Sequence, residues 1–258
     1  MDLNIKGKNA LITGGSRGLG KQAALSLASE GVNIAICGRT VETIEKTVKE
    51  ISDIGVTSYG VVADVSDISV LPGMVSEISN NFGDIDILIN NAGGTKSRAD
   101  ILGTETVDFK STFDLNVFSG FELMRLLIPH MQCQKWGRVL NVASIWGREY
   151  GGNISYMSSK AALIALTKHA AVSLASTGIL INSIAPGSIE HEGGSWERFR
   201  NENTIEIVES FIQQNLPMGK FGWPEPFGAL VSFLCSDLAG MITGSSIVID
   251  GGQSISMV

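Results

Sequence analysis

The stretch KNALITGGSRGLGKQAALSLA, residues 8 to 28, decides the fold. KNALIT is a short apolar run that Gly14 and Gly15 break, and from Leu19 onward Ala23, Ala24, Leu27 and Ala28 recur at helical spacing. The order is strand, glycine turn, helix. Within the turn, Gly14, Gly18 and Gly20 form the pattern T-G-x-x-x-G-x-G. Such glycines permit a tight bend and let a diphosphate approach a helix N-terminus, whose free N–H groups favour an anion. A glycine-rich turn alone is a weak signal, but a turn that follows a strand and opens a helix stands in the context of a dinucleotide site. Ser16, Arg17 and Leu19, lying between those glycines, are candidate cofactor contacts with them.

The next apolar run, Val32 to Cys37, ends at Gly38-Arg39-Thr40, the point where a Rossmann protein selects between its two nicotinamide cofactors. No Asp or Glu stands there to bind a ribose diol. Arg39 does, and Arg17 is a second cation able to reach a 2′-phosphate, so NADP(H) is the expected cofactor. Residues 41–53 read as an amphipathic helix with Ile44, Val48 and Ile51 inward, and Tyr59 to Ala63 as a third strand. That strand closes at Asp64-Val65, placed to meet an adenine through carboxylate and backbone. A helix over about 68–82 leads to a fourth strand, Ile85 to Ile89, then to Asn90-Asn91-Ala92-Gly93 and a polar loop over 93–103. Residues 104–134 carry one long helical pattern with Asn116 between Leu115 and Val117. A buried Asn needs partners for its amide, as a structural group or in a polar relay. Gly137 to Ala143 is the fifth strand and ends at Ser144; Ile179 to Ala185 is the sixth, ending at Pro186-Gly187-Ser188-Ile189; Ser245 to Gly252 holds the last. Strands alternating with helices imply right-handed crossovers, hence one α/β domain over 1–258 with a doubly wound, parallel, seven-stranded sheet. Ligands of such sheets sit at the carboxyl ends of the strands, where the glycine turn, Arg39, Asp64, Asn91 and Ser144 converge.

The segment NVASIWGREYGGNISYMSSK, residues 141–160, supplies a hydroxyl at Ser144, a phenol at Tyr156 and an ammonium at Lys160. On a helix starting near Ser155, the four-residue gap puts phenol and ammonium on one face. A free tyrosine titrates near ~10, and a cation held beside it is expected to lower that value and make it usable for proton transfer. The helix through about Ser176 is apolar around most of its circumference and is expected to be buried on more than one side. Trp146, two residues past Ser144, and Trp196 further on are candidate walls of a substrate pocket, with Asn153 a further candidate contact.

With 258 residues, 44% of them hydrophobic, the chain can bury a large core. Its net charge of −7 comes without a basic cluster, which argues against a nucleic-acid partner. No apolar run approaches the ~20 residues of a membrane span, and the polar N-terminal leader lacks the apolar core of a signal peptide. Cys37, Cys133 and Cys235 are odd in number and set among apolar or small residues, so buried free thiols in the cytosol are expected. His191 has no second ligand at metal-binding spacing, and no metal is expected.

TGGSRGLG at 13–20, Asp64-Val65, NNAG at 90–93, Asn116, Ser144, Y-x-x-x-K at 156–160 and Pro186-Gly187 follow one another as in the short-chain dehydrogenase/reductase family, which the chain resembles over nearly its whole length. The resemblance implies a tetrad of Asn116, Ser144, Tyr156 and Lys160 that passes hydride and proton between a nicotinamide and a carbonyl or alcohol substrate. Ser144 would hold the substrate oxygen, Tyr156 would give it a proton, Lys160 would hold the nicotinamide ribose, and Asn116 would support a water leading to solvent. Asn91, Ala92 and Gly93 would line the cofactor. Pro186, Gly187 and Ile189 would close over the nicotinamide, with a substrate lid at about 188–220. Where many relatives then place a threonine on the cofactor, this chain has Glu190, His191 and Glu192. The family also implies packing of the two long helices against another copy, in a homotetramer or homodimer. The C-terminal segment from Leu216 looks like the 3-oxoacyl-carrier-protein reductase branch, which makes a β-keto thioester the first substrate reading for a ketone reductase. Sugar, steroid or cyclic alcohols oxidised with NADP form the second. A nucleotide-sensing protein without catalysis is the third, and the intact tetrad argues against it.

Overall fold

Along β1 (Asn9–Thr13), Ala10 and Ile12 join one hydrophobic cluster and Leu11 joins the other, and all three are fully buried. That two-sided burial is what a strand covered by helices on both faces requires, and it explains why the strands read as continuous apolar runs rather than as alternating ones. The computed structural model describes residues 2–97 and 99–257. Met1, Val258 and Arg98, the last within the loop read over 93–103, lie outside the described residues.

β1 pairs in parallel with β2 (Asn33–Gly38) and with β4 (Ile87–Asn90). β3 (Ser58–Val62) flanks β2, and β5 (Gly137–Val142), β6 (Ile179–Pro186) and β7 (Ser246–Ile249) continue beyond β4. The order is β3-β2-β1-β4-β5-β6-β7, seven parallel strands as expected, with the reversal of winding between β1 and β4. At that switch point the crossovers diverge and leave a crevice at the carboxyl ends of the strands. Helices α1 (Gly18–Ser29), α2 (Val41–Ser52) and α9 (Pro224–Cys235) contribute Leu27, Ile44 and Phe227 to the first cluster. α3 (Leu71–Asn81), α5 (Ser119–Gln134) and α6 (Ile154–Leu174) contribute Ile78, Leu127 and Ala171 to the second.

The single long helix read over 104–134 is interrupted. α4 (Thr106–Phe113) passes into one π-turn, Asp114–Phe118, before α5 begins. The extra residue of a π-turn shifts the register, and here it turns Asn116 inward. α6 also departs from expectation. Its buried positions, Ser155, Ser159, Lys160, Leu163, Thr167 and Ala171, lie about four apart and are mostly polar. Ala161, Ala165 and Val172 face outward, so in the single chain α6 is buried along one stripe only. Cys133, in the last turn of α5, is exposed rather than buried, whereas Cys37 and Cys235 sit in the core, where burial pushes both thiols up to about 12. Among the described residues no helix is long and apolar enough to cross a membrane.

A chain of amides and hydroxyls fixes α6 against the sheet. Asn90 Nδ2 of β4 donates to Asn141 Oδ1 of β5 at 2.8 Å, Asn141 Nδ2 donates to Thr167 Oγ1 of α6 at 2.8 Å, and Thr167 donates to the Leu163 carbonyl at 2.7 Å. Asn141 is completely buried. Asn141→Ala strands the Asn90 amide inside the protein, which costs about 1–3 kcal/mol. Urea unfolding should show that loss, and the activity of the variant should fall below that of wild type because the anchor of the Tyr156 helix is gone.

Candidate active site

The glycine turn is shaped by contacts that leave no room for side chains. Gly14 and Gly18 have φ of +62° and +56°, the left-handed region that only glycine adopts freely. A Cβ on Gly15 would stand 2.6 Å from Ile36, and one on Gly20 would overlap the Asn91 amide and the Gly14 carbonyl. Asn91 Nδ2 donates to the carbonyls of Thr13 and Gly14 at 2.9 and 3.2 Å, and Thr13 Oγ1 accepts from the N–H groups of Asn91 and Ala92 at 3.0 and 2.9 Å. The segment Asn91-Ala92-Gly93 is thereby tied to the turn, as the sequence placed them. Arg17, the N-cap of α1, makes no side-chain cap hydrogen bond, so the first N–H groups of α1 are available to an anion. Ser16 carries α2 on the turn, its carbonyl accepting from Thr47 at 3.0 Å and its hydroxyl from Thr43 at 3.3 Å. This cradle fits a dinucleotide diphosphate.

At the end of β2, Arg39 lies 3.9 Å from the Asp64 carboxylate, both side chains well exposed. Against a burial penalty that raises it, hydrogen bonds from Ser66 and the charges of Arg39 and Lys96 hold the Asp64 carboxyl below its ordinary value. Val65 is buried beside it. A groove of about 570 Å³ opens here, lined by Arg39, Val61, Ala63, Asp64, Asp67 and Met74 among others. At the other end of the edge, Gly187 follows Pro186 with Asp250 so close that a Cβ would meet it at 2.6 Å. Ser188 N–H donates to Gln253 at 2.7 Å, and Ile189 forms a parallel bridge to Gly222.

The central groups come from β5, from the turn after it and from the first turns of α6. Ser144 accepts from the Trp146 N–H at 3.2 Å and is hydrogen-bonded to Tyr156. Lys160, 2% exposed, donates to the Val142 carbonyl at 2.6 Å, with its ammonium 5.5 Å from the Tyr156 ring centre. Asn116, turned inward by the π-turn, donates to the Gly94 carbonyl and to Ser159 at 2.9 and 2.8 Å and accepts from the Gly94 N–H at 2.9 Å. A Cβ on Gly93 would lie 3.0 Å from Lys160 Nζ and 3.2 Å from Asn116 Oδ1. Gly93 thus sits where the lysine and the asparagine come closest. The tetrad is assembled at one place.

One sequence reading needs correction, and two others gain structural contacts. Burial raises the Tyr156 phenol, and the hydrogen bond from Ser144 pulls the other way. The expected lowering by Lys160 is not found, because its ammonium is folded back onto the Val142 carbonyl. Asn153 is the N-cap of α6: its Oδ1 accepts from the Tyr156 N–H at 2.9 Å, from Ser155 at 2.9 Å and from Thr95 at 3.2 Å, so that oxygen is committed to holding the helix. Trp196 packs edge-on or tilted against Phe199, Phe211 and Phe221, with ring centroids 5.0–5.8 Å away, beside α7 (Ser195–Glu202) and α8 (Ile205–Asn215), and is half-buried. Trp146 does stand at the tetrad, edge-on to Tyr156 at 6.4 Å and seated on Gly152, where a Cβ would be 2.7 Å from the indole. Thr95, joining the loop after β4 to the α6 cap, was missed; only a contact 58 residues away in sequence gives it meaning. Among the described residues no cluster of three or more His, Cys, Asp or Glu is placed to hold a metal ion.

A family model described as short chain dehydrogenase matches residues 8–201. The chain is 35% identical over 248 residues to a 3-oxoacyl-[acyl-carrier-protein] reductase of Staphylococcus aureus, covering 95% of this chain and 98% of that protein. L-sorbose reductase from Gluconobacter frateurii, solved with NADPH and L-sorbose, superposes with a TM-score of 0.90 at 29% identity over the whole of both chains. A 7α-hydroxysteroid dehydrogenase solved with NADH and 7-oxo glycochenodeoxycholic acid does so with a TM-score of 0.89 at 29% identity, over 100% of this chain and 98% of that one.

Burial alone depresses the Lys160 ammonium from the ordinary 10.5 to about 8. The charged form is therefore penalised in the folded state. That penalty is full below pH 8 and fades up to pH 10.5, as the folded chain sheds the proton before the unfolded one does. Lys160→Met should raise the unfolding free energy at pH 7 by about 1–4 kcal/mol. In urea titrations the gap from wild type should shrink between pH 8 and pH 10.

Proposed function

The chain belongs to the short-chain dehydrogenase/reductase family and is an oxidoreductase, and from that premise we propose that it reduces a ketone to a secondary alcohol with NADPH. The observation that carries this reading is the meeting of Ser144, Tyr156 and Lys160 at the carboxyl end of β5. When bound, a reduced nicotinamide supplies the hydride. Ser144 Oγ holds the substrate oxygen and polarises the carbonyl, and Tyr156 gives its hydroxyl proton to the oxygen as it becomes an alkoxide. Lys160, lying between Tyr156 and the Asn91–Gly93 segment, holds the nicotinamide ribose. Asn116 and Gly93 border the ammonium and mark the route by which the phenol regains its proton. A phenol raised by burial stays protonated at neutral pH, the form a proton donor requires.

NADPH is preferred to NADH in this reading because Arg39 and Arg17 flank the adenosine end and no acidic residue ends β2. The two solved neighbours carry different cofactors, NADPH in one and NADH in the other, so the choice in this chain is read from its own residues, Arg39 first. For the substrate, a 3-oxoacyl thioester comes first, from the name of the S. aureus relative. Oxidation of a sugar, steroid or cyclic alcohol comes second; a sugar and a steroid are the ligands named for the two solved neighbours, one a reductase and the other a dehydrogenase. Trp146 forms an apolar wall beside Tyr156 for either. Exposed Phe118, Phe121 and Val172 on the two long helices support a homotetramer or homodimer, and the free thiols Cys37 and Cys235 in the core suit a cytoplasmic protein.

NADPH oxidation over a panel of acyl thioesters, cyclic ketones and keto sugars, with NADH in parallel, tests the activity; tight NADPH binding with no turnover on any ketone would return the chain to a sensing role. Tyr156→Phe should lose at least ~10²-fold in kcat while its NADPH Kd stays within about twofold of wild type. Removing the cation at Arg39 by Arg39→Ala should raise the NADPH Kd roughly tenfold, the loss of one charge-assisted phosphate contact, and leave the NADH Kd nearly unchanged. A wild type with higher kcat/KM for NADH than for NADPH would defeat the cofactor reading.

A further inference from the structure

The segment after β6 carries Glu190-His191-Glu192 where the family resemblance implies a threonine, and the structure brings His191 to an unexpected place. The root of the lid is fixed: Glu190 N–H donates to the Gly222 carbonyl at 2.9 Å, and Arg200 donates to both Glu190 carboxylate oxygens at 2.9 Å. The next side chain reaches back across the site. A Cβ on Gly18 would lie 2.6, 2.8 and 2.9 Å from Cε1, Nε2 and Nδ1 of the His191 imidazole. On its other side a Cβ on Gly194 would be 2.8 Å from Cε1 and 3.0 Å from Nδ1. The ring is therefore held between two glycines, one of them the first residue of α1 in the diphosphate cradle.

The hydrogen bonding of that ring determines what it can offer an anion. Nδ1 lies 3.0 Å from the Glu192 carbonyl oxygen, which can only accept, so Nδ1 carries a proton. Nε2 remains for a ligand. In the neutral ring Nε2 presents a lone pair, which repels a phosphate oxygen; in the imidazolium it presents an N–H, which binds one with the added strength of charge. We propose that His191 latches the lid onto the dinucleotide diphosphate through Nε2, and that the latch requires a proton taken up on binding. This rests on the cofactor reading above and adds to it a pH-dependent grip supplied by the lid.

The charged groups on the elements packed against the ring are Arg17 and Lys21 on α1, the latter paired with Glu50 at 2.6 Å, and Glu190, Glu192, Glu197 and Arg198 on the lid. Glu190 is paired with Arg200, Glu197 accepts from the Gly193 N–H at 2.7 Å, and Arg198 approaches the Gly193 carbonyl at 3.5 Å. Arg17 opposes protonation of the ring and Glu192 favours it. A bound diphosphate brings two further negative charges to the ring, which shifts the balance towards the imidazolium. Histidine side chains change charge between about pH 5 and 8, so cofactor affinity should fall as pH rises across that range.

Calorimetric titration of the full chain with NADPH and with NADH, at pH 6 and pH 8.5, tests this. NADH lacks the 2′-phosphate, whose own titration would otherwise contribute. At pH 6, His191→Gln should bind both dinucleotides roughly tenfold more weakly than wild type, the worth of one charge-assisted hydrogen bond, and the difference should fall below about twofold at pH 8.5. Repeating the wild-type titration in buffers of different ionisation enthalpy should show proton uptake with NADH, a measurement that needs no variant to fold. Equal or tighter binding by His191→Gln at pH 6, or no proton uptake by wild type, overturns the latch while leaving the cofactor site standing. Failure of wild type to bind either dinucleotide overturns both.

Discussion

An ammonium buried inside the protein against a main-chain carbonyl is the constraint on which the catalytic edge depends. Lys160 reaches the Val142 carbonyl from α6, and nothing in its surroundings offsets the loss of water strongly enough to keep its proton as firmly held as in solution. A buried charge of this kind works against stability. The fold accommodates it by lining the inner stripe of α6 with polar side chains, each given a partner. Ser159 bonds to Asn116, Thr167 bonds to Asn141, and Ser155 is bonded into the Asn153 cap. The helix is consequently placed against the sheet by directional bonds, and Tyr156 inherits that precision.

Much of this architecture can be read from the chain because the relevant signals are local. Apolar runs ended by Gly14, Gly38, Asp64 and Ser144 mark strands whose carboxyl ends must share an edge once every crossover has the same hand. The glycine turn is legible for the same reason: its bend, its absent side chains and the helix after it lie within thirteen residues of sequence. What escaped is of another kind. The π-turn at Asn116 depends on a partner at Gly94, and the commitment of Asn153 depends on Thr95, so in each case a distant residue decides what a local pattern leaves open. Trp196 reads equally as a pocket wall or as core, and the distant Phe211 and Phe221 are what set it half-buried in an aromatic group. Cys133 lies between Gln132 and Gln134, and its position on the last turn of α5 faces water.

The segment over 188–220 shows how local order can sit on a weakly specified stretch. Trp196, Phe199 and Phe211, half-buried, pack with the buried Phe221 just after it, apart from the two clusters that flank the sheet. The segment is tied down by the Ile189–Gly222 bridge and the Glu190–Arg200 pair, both immediately beside His191. The side chain that approaches the glycine turn thus stands next to the point where the segment leaves the sheet.

The protonation chemistry of the site follows from burial acting in opposite senses on two groups. In water a tyrosine and a lysine lose their protons at nearly the same pH. Here burial raises the phenol and depresses the ammonium to about 8, so the order of release is fixed: the lysine gives up its proton first and the tyrosine last. Environments that push two titratable groups apart assign their roles. Tyr156 stays protonated over the neutral range, and the hydrogen bond from Ser144 works against the burial that raises it. The buried stripe of α6 thus holds one group protonated and makes the other the first to give up its proton.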